Sequence, residues 1–382
     1  MLGYIVLVIF LLTWNPFYLA LPEHLGLSLR IGLWDAIRNV LLFLPVGFLF
    51  RVTQGSRRGA ILLGLAVSAC AEIVQLFMPA RTPSGVDLAT NTLGSWLGAM
   101  LHDLLATRIA MSPRLVGRLS LEVPLMGLLY LLVPLLWANR LITDEGASRW
   151  YLTGLIGVCG AVVLSDTYQQ WWGSVRFDSL WRVALAAAAW FFVGTGASLL
   201  SQPVVGFSTL GGIAVLTATL AAIPKPSTDH RFERSTLIRL LPGFTLYLLL
   251  EALWNPLRPI VSWHGILGLT DQLVAEDVTI NFRLLEHLAA FTILGYIAAE
   301  WRGRTELSWR QDAPRLLLVG AIAAFILEVL VGFQSGPGAS LLRFVIAICG
   351  ALFGGAIYHL QRDHVRFLLG RSTVAAPINR SG

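Results

Sequence analysis

The sequence predicts an all-α fold, a polytopic membrane bundle of about twelve transmembrane helices in a four-four-four arrangement. Three observations carry that expectation. The 382-residue chain is 56% hydrophobic and 13% charged, with a mean hydropathy of +0.70, so it lacks the polar groups needed to solvate its own surface. Its apolar runs are about 17 to 22 residues long, which suits helices crossing ~30 Å of hydrocarbon and is too long for barrel strands. Its basic residues also divide by side of the membrane once those runs are threaded.

Taken in order, the crossings fall at about 2–21, 34–50, 59–79, 86–106, 117–138, 151–166, 183–200, 204–223, 236–253, 284–300, 314–332 and 340–360. The first run lacks the positive n-region and small-residue cleavage site of a signal peptide and is expected to stay as a helix. Pro79 ends the third crossing, so a tight hairpin leads into the fourth. The sixth carries Asp166 and is followed by Trp171-Trp172, a pattern that also fits an interfacial segment. The stretches at about 139–150, 166–182, 224–235, 254–283 and 361–382 are the main hydrophilic interruptions, with room for short amphipathic helices and no soluble domain.

With the N-terminus inside, twelve crossings put 20 of the 28 Lys and Arg residues on the cytoplasmic side and leave 8 outside. The predicted localisation is thus a multi-pass protein with both termini cytoplasmic. The net charge of +6 follows from that topology, and no basic patch with interleaved aromatics supports nucleic-acid binding. Cys70, Cys159 and Cys349 are isolated in apolar runs and read as buried thiols with no metal spacing.

An internal repeat organises the chain. Sliding the sequence by about 256 places aligns Glu72 with Glu328, Phe77 with Phe333, Gly94 with Gly350 and Gly98 with Gly354. Nearby offsets join Phe43 and Gly47 to Phe291 and Gly295, and Trp14-Asn15-Pro16 to Trp254-Asn255-Pro256. The predicted domains are a four-helix unit at 1–110, connecting helices at 111–230 with no polar signature of their own, a degenerate repeat of the first unit at 236–362, and a tail from 363. The copies differ in their polar residues, because Gln75, Arg81, Asp87 and Asn91 face Val331, Pro337, Arg343 and Ala347. The first copy is therefore expected to carry the site, with Glu286, His287, Glu328 and Arg343 as remnants in the second.

A charged side chain at the centre of a membrane helix costs roughly 2.5 to 3.5 kcal/mol on insertion scales, so each should face protein or a wet cavity. Glu72 and Gln75 share one face of the third crossing, while Asp87, Asn91 and Ser95 line one face of the fourth from the same surface. Arg81 lies in the hairpin between them, and Arg38, Asn39, Trp14 and Asn15 reach the same expected level. A purely structural account covers the same residues: Arg81 neutralises Asp87 or Glu72, Asn91 bridges two helices, Gly94 and Gly98 allow close packing, and Trp14 anchors the interface. The functional account is a hydrophilic pocket opening to the outer leaflet. There Arg81 offers a planar fork for phosphate or carboxylate, and Glu72 and Asp87 hold an amine or handle a proton. No Ser-His-Asp set, HExxH or metal-spaced cluster appears, so no catalytic residue, metal or cofactor is indicated. His24 and His264 lie in outer loops within possible reach of the pocket.

The run Asn39-Val40-Leu41-Leu42-Phe43-Leu44-Pro45-Val46-Gly47, followed by Glu72-x-x-Gln75, Arg81, Asp87, Asn91, Gly94 and Gly98, resembles the VanZ-like family. That family's pattern is N-x-x-x-F-x-P-x-G, then E-x-x-Q, R, D, N, G, G. The likeness covers about the first 105 residues, with a degenerate copy over about 236–360. It implies a bacterial inner-membrane protein, and ligand-binding positions at Asn39, Glu72, Gln75, Arg81, Asp87 and Asn91. The family's namesake role is low-level resistance to the glycopeptide teicoplanin, and no settled biochemical activity comes with the fold. The leading functional expectation is recognition of the head group of a lipid-linked cell-wall or polysaccharide precursor, or of a surface polymer, alongside ordinary membrane lipids. A secondary transporter of a small polar solute is the alternative, and an outer-leaflet acid/base enzyme acting on a phosphate- or acyl-bearing lipid the third.

Overall fold

The computed structural model describes residues 2–13, 32–52, 55–78, 82–108, 113–142, 149–172, 179–223, 232–253, 259–266, 278–302, 307–335 and 338–374. Nearly all of them are helical. Among the described residues, eight helices are long and apolar enough to cross a membrane. The chain falls into two compact units, residues 1–112 with 273–281, and residues 113–272 with 282–382.

The first unit holds α1 (Leu2–Thr13), α2 (Leu33–Val52), α3 (Arg57–Gln75) and α4 (Gly85–Arg108). Ser56 starts α3 as an N-cap whose hydroxyl accepts from the Gly59 amide at 2.9 Å, covering one of the unpaired donors of the first turn. The chief packing is α2 on α4, and glycine permits it. A Cβ on Gly47 would overlap the carbonyl of Ser95, and one on Gly98 would overlap that of Leu44. The backbones thus lie in direct contact, as small residues allow between membrane helices. Phe43 and Val46 of α2, with Ala99 of α4, fill what space remains and are fully buried.

The second unit holds α5 (Pro113–Leu141), α6 (Trp150–Trp172), α7 (Leu180–Ser201), α8 (Pro203–Ala222) and α9 (Phe232–Leu253). It continues with β1 (Gly265–Ile266), most of α10 (Val278–Arg302), α11 (Trp309–Gly332), β2 (Ala339–Ser340) and α12 (Leu341–Val374). The segment expected to be a tail from 363 is helical as far as Val374. The apolar spans of α6 and α10 are each 72% buried against 22% for α8, so α6 and α10 form the centre. Gly295 of α10 meets the Ala351 carbonyl of α12, and Gly354 of α12 meets that of Thr292, again backbone against backbone. Leu318, Ile322, Phe325 and Ile326 stand about half exposed on α11, a face that would be costly in water and is natural against lipid. Middle helices and C-terminal helices thus share one unit.

A short segment strapped across the α11–α12 connection completes this unit. β1 pairs in parallel with β2, matching Gly265 to Ala339 and Ile266 to Ser340. The Ile260 amide donates to the Phe333 carbonyl at 2.8 Å, the His264 amide to Gly332 at 3.0 Å, and the Ala339 amide to His264 at 3.1 Å. Gly338 has φ +78°, and a Cβ there would stand 2.7 Å from the His264 ring, so the strap needs glycine for both reasons.

Candidate functional site

In the first unit the candidate site lies where α3 ends and α4 begins. Ser84 is the residue before α4, and its hydroxyl accepts from the Asp87 amide at 3.2 Å. Its own amide donates to the Glu72 carboxylate at 2.7 Å, so the last turn of α3 holds the entry of α4. Asp87 lies in the first turn of α4, where the helix dipole favours a negative charge. Asn39 reaches it from the first half of α2, its amide donating to Asp87 Oδ1 at 2.8 Å and to Thr90 Oγ1 at 3.4 Å. Gln75 donates to the Thr13 carbonyl at 3.2 Å and ties α3 to the end of α1. One turn deeper, buried Asn91 donates to Ser68 at 2.9 Å, and its carbonyl oxygen has no hydrogen-bond partner among the described residues.

Of the six expected binding residues, the structure brings Asn39, Glu72 and Asp87 together, sets Asn91 below them, and gives Gln75 an interhelical bond. Arg81, Trp14, Asn15 and His24 lie outside the described residues. Glu72, Asp87 and Asn39 are all half-buried. The Asp87 carboxylate is held by the Asn39 amide and also by the Ser84 side chain, and the Glu72 carboxylate by the Ser84 backbone amide. Arg38, 69% exposed, pairs at 3.6 Å with equally exposed Asp35, so both charges remain open to exchange partners.

The opposite end of this unit is closed by ions. Asp103 of α4 accepts from Arg51 Nε of α2 at 2.9 Å and from Arg57 Nε of α3 at 2.5 Å, with His102 Nδ1 at 3.3 Å. A single carboxylate thus joins three helices.

In the second unit Glu328 accepts the Ser340 amide at 2.6 Å, and the Arg343 amide donates to the Ser340 hydroxyl at 3.3 Å. Here the side chain of Arg343 turns onto Glu328 itself, with Nε at 3.0 Å and Nη2 at 2.9 Å, a two-pronged ion pair. His264, in this second unit, sits on the strap beside Gly338.

The densest polar cluster lies deeper in the same unit. Glu286, fully buried, accepts from Asn139 at 2.7 Å, from the Tyr247 hydroxyl at 2.8 Å and from Arg149. Thr153 donates to the Asn139 oxygen at 2.6 Å, which turns the amide nitrogen of Asn139 toward Glu286. His287, the next residue of α10, faces Glu251 at 3.6 Å and packs at a tilt against the Phe291 ring. A carboxylate so deep is tolerable only with this many donors. Sequence reasoning named Glu286 and His287 and missed Asn139, Arg149, Thr153, Tyr247 and Glu251. The α5–α6 region, expected to be a spacer without polar character, supplies three of them. The available signal was position: each lies within about two turns of a helix terminus at the end of the unit where Glu286 also lies.

Among the described residues no group of three or more His, Cys, Asp and Glu side chains converges in a way that would hold a metal ion. The bundle of long apolar helices, with charges gathered at helix ends, defines a multi-pass helical membrane protein. Within it, a family model described as VanZ/LLP1 matches residues 4–106, the stretch that runs from α1 to the end of α4. That segment is VanZ-like, and it contains every one of the six expected binding residues. No curated protein and no solved structure matches the chain.

Proposed function

We propose that this VanZ-like membrane protein recognises, at the α2–α3–α4 end of its first unit, the head group of a lipid-linked precursor or surface polymer at the outer leaflet of a bacterial inner membrane. Both termini are cytoplasmic in this reading. One observation carries it: Asn39, Glu72 and Asp87 arrive from three helices at one helix-end level, two carboxylates and an amide that are all only half-buried. An amine or hydroxyl donor fits that arrangement, and Arg81 in the same hairpin supplies the counter-charge for a phosphate. Binding of such a group alters envelope composition or the access of a glycopeptide to it, and hence teicoplanin susceptibility.

Residues 236–362 are, in the same proposal, a degenerate copy of the first four helices that completes the scaffold. Its support is the recurrence of paired contacts: Gly47 on Ser95 and Gly98 on Leu44 in one unit, Gly295 on Ala351 and Gly354 on Thr292 in the other. The capping pattern recurs too, with Glu72, Ser84 and Asp87 answered by Glu328, Ser340 and Arg343.

The test is complementation in a bacterial host carrying the full chain. Arg81→Ala and Asp87→Asn are expected to abolish the change in teicoplanin susceptibility while membrane abundance stays at the parent level. A parental phenotype with both changes contradicts the proposal.

A further inference from the structure

The ends of α5 and α6 carry a cation that the site described above does not use. Arg140, in the last turn of α5, lies with its guanidinium 4.2 Å over the ring of Trp150, the first residue of α6. Trp150 is fixed in turn, buried at 3% exposure, with its indole N–H donating to Gln202 at 2.6 Å. Arg140 Nε and Nη1 are both buried and find no acceptor among the described residues. Arg149 stands close enough to repel it electrostatically, yet the charge of Arg149 is committed to Glu286. A guanidinium held on an aromatic face beside a second cation, with two N–H donors unanswered, is arranged for an anion. Two hydrogens on one planar fork match two oxygens of a phosphate or carboxylate.

A second observation says what kind of anion. Beginning at Tyr151, the residue after Trp150 on α6, an apolar groove of about 470 Å³ runs between α6, α8 and α9, with Gly154, Val158, Gly212, Leu246 and Leu250 among its other walls. Gly206 of α8 packs against the Trp150 ring, and the groove opens one to two turns further along both helices. A Cβ on Gly212 would meet nothing within 4 Å, so the floor is empty where a chain would lie. An open, nearly uncharged trough that starts one residue along α6 from the ring carrying an unanswered guanidinium has the form of a lipid seat.

We propose that the second unit binds a phospholipid, its phosphate on Arg140 against Trp150 and one acyl chain in the α6–α8–α9 groove. This site is separate from the hairpin of the first unit and does not rest on the reading given for it. Its role is to hold a structural or effector lipid on the bundle. The ligand is recognised by its phosphate and chain together, and free phosphate would satisfy only the first half.

The full chain in detergent, titrated with phosphatidylglycerol, with diacylglycerol and with inorganic phosphate, tests this through ligand-dependent thermal stabilisation. Phosphatidylglycerol is expected to bind at least tenfold more tightly than either of the others. Arg140→Gln, which removes a charge-assisted contact, weakens it by about tenfold or more and makes it resemble diacylglycerol. Arg140→Lys recovers part of the loss. Gly212→Leu, which fills the groove without a clash, weakens phosphatidylglycerol and leaves the weak effect of inorganic phosphate unchanged. Equal binding of phosphatidylglycerol to the parent, Arg140→Gln and Gly212→Leu overturns the site. Binding that is lost in Arg140→Gln, unaffected in Gly212→Leu and displaced by inorganic phosphate overturns the lipid and leaves an ion site. Should Arg140→Gln fail to fold, the Gly212→Leu arm still decides between lipid and no lipid.

Discussion

The same connection between two helices is built twice in this chain with opposite electrostatic outcomes. At the α3–α4 turn, Glu72 holds the Ser84 amide while Asp87, three residues into α4, turns to Asn39. At the α11–α12 turn, Glu328 holds the Ser340 amide while Arg343 turns back onto Glu328. The first leaves two half-buried carboxylates with capacity to accept. The second consumes its charges internally and is strapped over by residues 259–266. A buried charge with all its partners supplied holds a fold together, and one left partly unsupplied at a half-exposed helix end is where a ligand can contribute.

The comparison breaks most visibly if the second unit's charges are removed one at a time. Glu286→Gln or Arg149→Met leaves the other partner buried and uncompensated, and should cost about 3–5 kcal/mol of stability, read as lost monodisperse protein or a lowered melting temperature. Replacing both partners together with apolar residues should restore much of that loss, which separates the pair's necessity from its net strength. Next in size, Gly47→Val forces α2 away from α4 and should sharply lower the yield of folded protein, because the obstacle is the rigid backbone of Ser95.

Asp87→Asn or Asn39→Ala should alter stability by only about 1 kcal/mol, since one half-buried hydrogen bond is lost, while abolishing head-group recognition. A large fall in stability with binding intact would reverse the roles assigned to the two units. Smallest of all, Arg57→Ala removes one exposed arm from Asp103, with Arg51 still in place. It should change the melting temperature by the equivalent of less than about 1 kcal/mol.

Much of the fold was legible because hydropathy reports the hydrocarbon-facing part of each helix directly. The crossing expected at 204–223 is α8 at Pro203–Ala222, and that expected at 236–253 is α9 at Phe232–Leu253. Overruns occur where the helix continues beyond its apolar part. The crossing expected to stop at 360 becomes α12 through Val374, since backbone hydrogen bonding does not end where hydropathy does. The two-residue strands of the strap had no signal at all, being fixed by tertiary pairing.

The candidate site could be read from the sequence as a set of polar residues and not as a set of contacts. The polar intrusions Glu72, Asp87 and Asn39 stood out against apolar runs and do meet. Gln75 and Arg343 stood out equally and turn out to be bonded within the fold, because spacing along a helix says which face a side chain shares and not which partner is opposite. Asn139, Arg149 and Tyr247 lay near the ends of other helices, where polar residues are expected anyway, and only their convergence on Glu286 distinguishes them.

The most direct test is lipid-resolved mass spectrometry of the full chain in native nanodiscs, comparing the parent, Asp87→Asn and Arg140→Gln. The account predicts a co-purifying head-group species that disappears with Asp87→Asn and persists with Arg140→Gln, in protein that remains fully folded. Identical bound species in the parent and Asp87→Asn would contradict it, and would assign the polar residues of the first unit to holding its helices together.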